Sequence, residues 1–494
     1  MQISKKIYFS DYKCSSANKT GITIAFSESE YNLYNNIKHL SSATLRDMIN
    51  IQSYEKLETI ANEKNVGKST FIKDILAKKF VNQKNEKSFM RLQSTFSGGK
   101  GSPMHDWYPY LEGYSPEFVK CLISRFAPKA KTILDPFCGS GTTAIVSVLE
   151  GLNNYYCEVN PLCQYIIETK LIALTLSEEE KTKLVNELYS ISNEITNVLK
   201  PSATETDLEK SFKSVFGNTK FFEDHIFKDI LSYQCYISSI EDENLKRLLT
   251  IAGIRSLIPS SLLVRRGDLR FKTQKELEKG NQGFRFHVQK SLELIASDLL
   301  DITEGSGLAT FLCDDAKEIS GNNLIDAVIT SPPYLNGTNY FRNTKIELWF
   351  IGKLKTKSDL RHYRDLAITS GINDVTKGKS LSSNNTIISE IPLLSECIKE
   401  LSIKEYDSRI SMMVENYFWD MFKFLSKLPK LLTNDATICI DLGDSVYCNV
   451  YIPTQDILKE MMSKLGFEEN ERVILRERKS RNGTKLVQTV QVFK

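Results

Sequence analysis

The stretch Asp135-Pro136-Phe137-Cys138-Gly139-Ser140-Gly141-Thr142-Thr143-Ala144 joins an acid, two closely spaced glycines and a run of small hydroxyl residues. Glycine lets backbone amides come close to a ligand, so a turn of this kind opening a helix suits a small polar or anionic group. Gly139-x-Gly141-x-x-Ala144 also fits the loose dinucleotide fingerprint, and Glu158 stands 19 residues past Gly139, where a carboxylate takes two ribose hydroxyls. The pattern points to a nucleoside cofactor and leaves open which one. A second constellation, Thr330-Ser331-Pro332-Pro333-Tyr334, sets a hydroxyl, two prolines and an aromatic ring in a row. Prolines donate no amide hydrogen bond, so the carbonyls of Ser331 and Pro332 stay open as acceptors while Tyr334 offers a flat face. That set suits the exocyclic amine of a stacked base.

Both constellations need a scaffold that places them at one edge. Thr132-Ile133-Leu134-Asp135 reads as a strand, Thr142 to Gly151 as a helix and Asn154 to Glu158 as a second strand, which makes one right-handed parallel unit of a doubly wound sheet. Ser115, Pro116 and Glu117 start a helix ahead of it with a cap, a proline at the first helical position and an acid in the first turn. Further strands are expected at 309–313, at 326–330 directly before the Pro-Pro loop, and at 436–441. A closing hairpin of 471–478 and 485–493 would make the final strand antiparallel. The chain divides into a mostly helical N-terminal appendage at 1–100, a cofactor half at 101–170, a helical insertion at 171–304 and a catalytic half at 305–494. Thr95 to Ser102 reads as a flexible joint, and the insertion as a separate lobe that contacts DNA or reads the target.

With these motifs the sequence resembles the amino-methylating DNA methyltransferases, which use S-adenosylmethionine to modify N4 of cytosine or N6 of adenine. The likeness covers about 101–170 and 305–494. It implies a class I methyltransferase fold, an α/β Rossmann-like mixed sheet of seven strands. It also implies that Asp135, Phe137, Gly139 and Gly141 form the cofactor loop, that Glu158 holds the ribose, and that Asp315, or its neighbour Asp314, meets the adenine. Tyr110, within His105 to Tyr110, resembles the segment that closes over the methionine end. Ser331, Pro332, Pro333 and Tyr334 would be the catalytic loop, and the Ser-Pro-Pro-Tyr form is commoner among cytosine-N4 enzymes. Adenine N6, an RNA base, and a nucleic-acid-binding protein with a decayed site are the alternatives. The carbon-5 route needs a Pro-Cys nucleophile, and the chain has no such dipeptide. The large insertion departs from the family's motif orders, which leaves open where the target is read.

Composition sets the remaining bounds. The chain has 494 residues, 64 Lys and Arg against 61 Asp and Glu, and 41% apolar residues, an ordinary globular balance that gives no global pull toward a polyanion. Basic surface must therefore be local. Residues 261–290 and 471–494 each carry a surplus of five positive charges. Arg265, Arg266, Arg270 and Lys272, around Gly267, are the preferred contacts for double-stranded DNA. Ten scattered cysteines without a Cys-x-x-Cys pair, and five histidines without a cluster, suggest neither disulfides nor a metal site. With no signal peptide and no long apolar run, a cytoplasmic protein is expected. A cognate restriction endonuclease would be a further partner if the resemblance extends so far. Gly67-Lys68-Ser69-Thr70 imitates a phosphate-binding loop but lacks its first glycine, since Asn62 stands there.

Overall fold

Short apolar runs that end in an acid or a hydroxyl residue become the parallel strands of one sheet. The computed structural model describes residues 94–199, 205–322, 325–335, 340–375, 390–480 and 482–494 in full, and 2–8, 21–27 and 31–32 by their backbone. The N-terminal strands β1 (Gln2–Tyr8), β2 (Gly21–Ser27) and β3 (Tyr31–Asn32) form a small antiparallel sheet. Residues 2–8, 21–27 and 31–32 of the expected helical appendage are thus strand. Residues 33–93, with Gly67 to Thr70, lie outside the described residues.

The main sheet contains β4 (Thr132–Asp135), β5 (Asn153–Cys157), β8 (Ala309–Cys313), β9 (Ile325–Thr330), β10 (Leu432–Gly443), β13 (Glu469–Lys479) and β14 (Lys485–Phe493). Between them lie two hairpins, β6 (Leu263–Arg266) with β7 (Asp268–Phe271) and β11 (Ser445–Tyr447) with β12 (Val450–Ile452). The seven strands run in the order β13-β14-β10-β9-β4-β5-β8, and β14 pairs antiparallel with both of its neighbours. The other pairs are parallel. The expected doubly wound mixed sheet is therefore present. Its order reverses between β4 and β9, the crevice where open α/β sheets bind ligands.

Helices cover both faces. Helix α1 (Pro116–Phe126) starts as the sequence reads, with Pro116 at the first helical position and the Ser115 hydroxyl accepting from the Phe118 amide at 3.1 Å. It packs with Val473 and Val490 of the terminal hairpin. Helix α2 (Thr142–Leu149) follows the glycine loop and α3 (Pro161–Ala173) follows β5.

The insertion supplies α4 (Glu178–Asn193), α5 (Asp224–Ser238), α6 (Glu243–Ser260) and α7 (Gly283–Asp301). It shares one apolar core with α3 and with α8 (Tyr340–Phe350), so it does not fold apart from the sheet domain. Trp349 of α8 is fully buried and donates its indole N–H to the Leu208 carbonyl at 2.9 Å, and Asp298 of α7 accepts from the Trp107 indole at 2.8 Å. Helices α9 (Pro392–Lys404), α10 (Arg409–Leu425) and α11 (Thr454–Lys464) build the core on the catalytic half. Among the described residues no helix is long and apolar enough to cross a membrane.

The joint at 95–102 is packed. It contains a short 3-10 turn whose Phe96 is buried and stacks on His105 at 4.3 Å between ring centroids, while the His105 imidazole bonds the Phe96 carbonyl at 2.8 Å. Burial holds the His105 imidazole down to about 4, so it stays neutral and structural.

Candidate active site

The carboxyl ends of β4, β5, β8, β9 and β10 open on one cleft of about 330 Å³. Residues of the glycine loop, Glu158, Asp314, Asp315, Tyr110 and Ser331 to Tyr334 all line it. The two sequence constellations, about 190 residues apart in the chain, therefore share one space.

The glycines serve different purposes. Gly139 has φ 56°, and a Cβ there would meet Cε1 of Tyr110 at 2.9 Å. Gly141, at φ 90°, caps α2, and a Cβ there would meet Ile167 of α3 at 2.8 Å. Gly139 thus makes room at the cleft, while Gly141 allows close helix packing and lies outside the lining, contrary to its expected place against the cofactor. Lys170, buried behind the loop, donates to the Ser140 carbonyl at 3.0 Å, and burial lowers its ammonium to about 8.

Glu158 accepts from the Gly139 amide at 2.7 Å and from the Asn160 amide at 2.8 Å, one bond to each carboxylate oxygen. Burial pushes its carboxyl up to about 8, against the pull of those two amides. Asp315 caps a turn through the Lys317 amide at 2.9 Å and pairs with the Lys317 ammonium at 3.0 Å. Asp314 accepts from Gln164 at 2.6 Å, and both acids reach the cleft.

Asp135 is a correction. It is fully buried and absent from the cleft wall. Its carboxylate accepts from the Phe137 amide at 3.1 Å, the Tyr114 hydroxyl at 3.1 Å and the Thr330 hydroxyl at 2.7 Å. The last bond spans the crevice and ties the end of β4 to the end of β9, directly before Ser331. Asp135 is a positioning residue for both loops.

On the catalytic side the Tyr334 hydroxyl donates to Asp441 at 2.8 Å and accepts from Gln488 at 2.9 Å. Gln488 also donates to Asp441 at 2.9 Å. The Tyr334 amide meets the Tyr340 hydroxyl at 3.3 Å, and the ring lies over Gly443, where a Cβ would sit 3.5 Å from it. The ring is thus held at its hydroxyl, its edge and its backbone. Burial raises the Asp441 carboxyl to about 7, so it titrates near neutrality. Asp441 and Gln488 escaped the sequence reading, whereas Tyr340, just past the catalytic loop, reads as a residue that could line the base pocket and does line the cleft. Asp441 carried a signal, an acid ending a buried strand like Asp135; Gln488 carried none.

The expected DNA contacts divide. Arg265 is largely buried, pairs with the buried Glu347 and donates to the Asn343 carbonyl at 2.7 Å, so it is structural. Lys272 is half-buried on the Ser261 carbonyl at 2.6 Å. Arg270 forks onto Glu276 at 2.8 and 3.0 Å, which leaves Arg266, 68% exposed, as the most open cation of the four. Asn343 fastens the β6–β7 hairpin beside the cleft, accepting from the Leu269 amide at 2.9 Å and donating to the Gly267 carbonyl at 2.7 Å. Arg476 and Arg478 of β13, which the sequence marked only as part of a basic stretch, reach the cleft wall.

Residues 6–169 match the family model for the N6/N4 type of DNA methylase. That match ends before the Ser331–Tyr334 loop. The chain is 23% identical over 461 residues to the Type II methyltransferase M.BsoBI of Geobacillus stearothermophilus, covering 83% of this chain and 88% of that one. It is 24% identical over 433 residues to the Type II methyltransferase M.AvaI of a Nostoc species, covering 78% and 84%. Among solved structures, an rRNA methyltransferase from Streptomyces viridochromogenes aligns over 78% of this chain and 87% of that one, at 10% identity and a TM-score of 0.24, too loose a fit to carry an argument. With the sheet order and the shared cleft, the family match and the two long alignments support an amino-methylating DNA methyltransferase of the N4/N6 family, a family whose methyl donor is S-adenosylmethionine.

Proposed function

We propose that the chain methylates the exocyclic N4 amine of cytosine in double-stranded DNA. The observation that carries this reading is the opening of Ser331–Tyr334 on the same cleft as Gly139 and Glu158. The residues present fit the cofactor. Tyr110 closes over a loop whose Cβ-free Gly139 leaves space, and Glu158 offers a buried carboxylate to two ribose hydroxyls. Asp315, with Asp314 beside it, stands at the adenine end, Phe137 walls the cleft and Tyr110 covers the methionine end. When bound, S-adenosylmethionine supplies an electrophilic methyl group on a sulfonium.

An amine inside a duplex is out of reach, so the target base leaves the stack at a cost of a few kcal/mol. Tyr334 receives it on a ring fixed by Asp441, Gln488 and Gly443. The Ser331 hydroxyl and the Pro332 carbonyl accept the two amine hydrogens, which turns the nitrogen lone pair toward the methyl group and draws the nitrogen from planarity. The neutral serine at the head of the loop, in place of an acid, favours cytosine by the family's preference. Adenine N6 is the second reading, because the same two acceptors suit either amine. The β6–β7 hairpin, through Arg266 and Arg270, supplies phosphate contact beside the cleft.

Incubating unmethylated duplex DNA with the protein and S-adenosylmethionine, then digesting it to nucleosides for mass spectrometry, tests the reading. 4-Methylcytosine is expected; 6-methyladenine would move the assignment to the second amine, and neither would overturn it.

A further inference from the structure

Next to the catalytic cleft lies a second groove, walled by residues of α9, β11, β13 and β14 and of the loops beside them. Arg478 lines both, so the two spaces adjoin. Leu335, which follows Tyr334, forms part of the floor, and its carbonyl accepts from the Ser445 hydroxyl of β11. We propose that this groove holds the duplex DNA that flanks the extruded base and reads its sequence, an inference that rests on the function proposed above.

The walls have the chemistry for that occupant. Among the described residues Lys404, which also pairs with Glu400 of its own helix, and Arg478 are the charged residues lining the groove, and no carboxylate lines it. On β13, past the irregularity at Ile474–Arg476, Arg476 and Arg478 are exposed cations, and Arg478 lines the groove. Tyr406, 87% exposed just past the end of α9, presents a bare ring at the edge of a polar groove. An aromatic face beside cations suits a base and its phosphate together.

Two hairpin tips form the reading edge. The β11–β12 turn is made by Cys448 and Asn449, both in the left-handed region at φ 51° and 62°. The Asn482 amide, in the β13–β14 turn, donates to the Asn449 side-chain carbonyl at 3.0 Å. This bond joins the tips and fixes both amides at the groove. Asparagine carries donor and acceptor on one group, the complement that base edges require. The buried Tyr447 hydroxyl, also on the wall, has no partner among the described residues. The groove therefore offers cations for phosphates, a ring for stacking and paired amides for base edges, all adjoining the loop that would receive the flipped base.

The test uses the full chain with S-adenosylmethionine and short duplexes cut from unmethylated plasmid DNA, with binding read by fluorescence anisotropy and methylated positions by sequencing. The double variant Lys404→Glu/Tyr406→Ala should bind duplex about tenfold more weakly than the parent. Its S-adenosylmethionine affinity should stay within about twofold, which shows the fold intact. Asn482→Ala should broaden the sequence context of the methylated positions. Duplex affinity within about twofold of the parent in the double variant, with an unchanged context in Asn482→Ala, would overturn the groove assignment while leaving the proposed function in place. Loss confined to RNA binding would equally overturn it. A parent protein that binds S-adenosylmethionine but neither binds nor methylates duplex would instead refute the proposed function, and the groove's occupant with it.

Discussion

Glu158 shows how a single carboxylate can make cofactor binding depend on pH. Burial holds it up to about 8, so at lower pH it carries a proton in the free protein and has lost acceptor capacity. Ribose hydroxyls favour the ionised form. The affinity for S-adenosylmethionine should therefore rise with pH by up to about tenfold per unit until about pH 8 and level off above it. Titration calorimetry from pH 6 to 9 reads this directly, and Glu158→Gln should bind more weakly with a flat profile. A parent profile without slope would refute the role. Tyr334 separates two further effects. Tyr334→Ala should abolish methyl transfer, since it removes the stacking face, and should leave cofactor affinity within about twofold. Tyr334→Phe keeps the ring but strips Asp441 of a donor, at about 1–3 kcal/mol of stability measured by urea unfolding. These residues also mark what the sequence discloses. Glu158 and Ser331 to Tyr334 stand out by type and spacing, whereas Gln488 is an ordinary strand residue until the fold sets it 2.9 Å from the Tyr334 hydroxyl.

At the level of elements, charge and burial part company on the β6–β7 hairpin. A count of charges marks Arg265, Arg266, Arg270 and Lys272 alike, because partners distant in the chain are invisible in it. Glu347, 82 residues beyond Arg265, takes that guanidinium into the core. Arg265→Ala should therefore lower stability by about 3–5 kcal/mol in chemical denaturation, since it leaves a buried carboxylate unpaired. Arg266→Glu should leave stability within about 0.5 kcal/mol. It should weaken duplex binding and reduce its salt dependence by about one phosphate contact. Binding titrations at several salt concentrations separate the two; equal salt slopes for Arg266→Glu and the parent would remove the hairpin from the DNA surface. The insertion makes a similar point. Its helices are legible from their periodicity, yet its union with the sheet domain through Trp349 and Asp298 depends on contacts that no local pattern contains.

Across the whole molecule, the sheet was the most legible part, because each strand signal ends at the edge where its chemistry is needed. Asp135, Glu158 and Ser331 all follow or close apolar runs, and the order of β9 beside β4 places them together. In the appendage the strands at 2–8 and 21–27 go unread, because the helical spacing is read further on, from Tyr31 to Lys79. Where the order reverses, the bond from Thr330 to Asp135 makes one side chain answer to both halves of the cleft. A strut shared by two sites transmits in either direction: if a filled donor pocket tightens the grip on the acceptor strand by some factor, a captured strand must tighten the grip on the donor by the same factor. Cutting that strut with Thr330→Val would uncouple the partners without removing either.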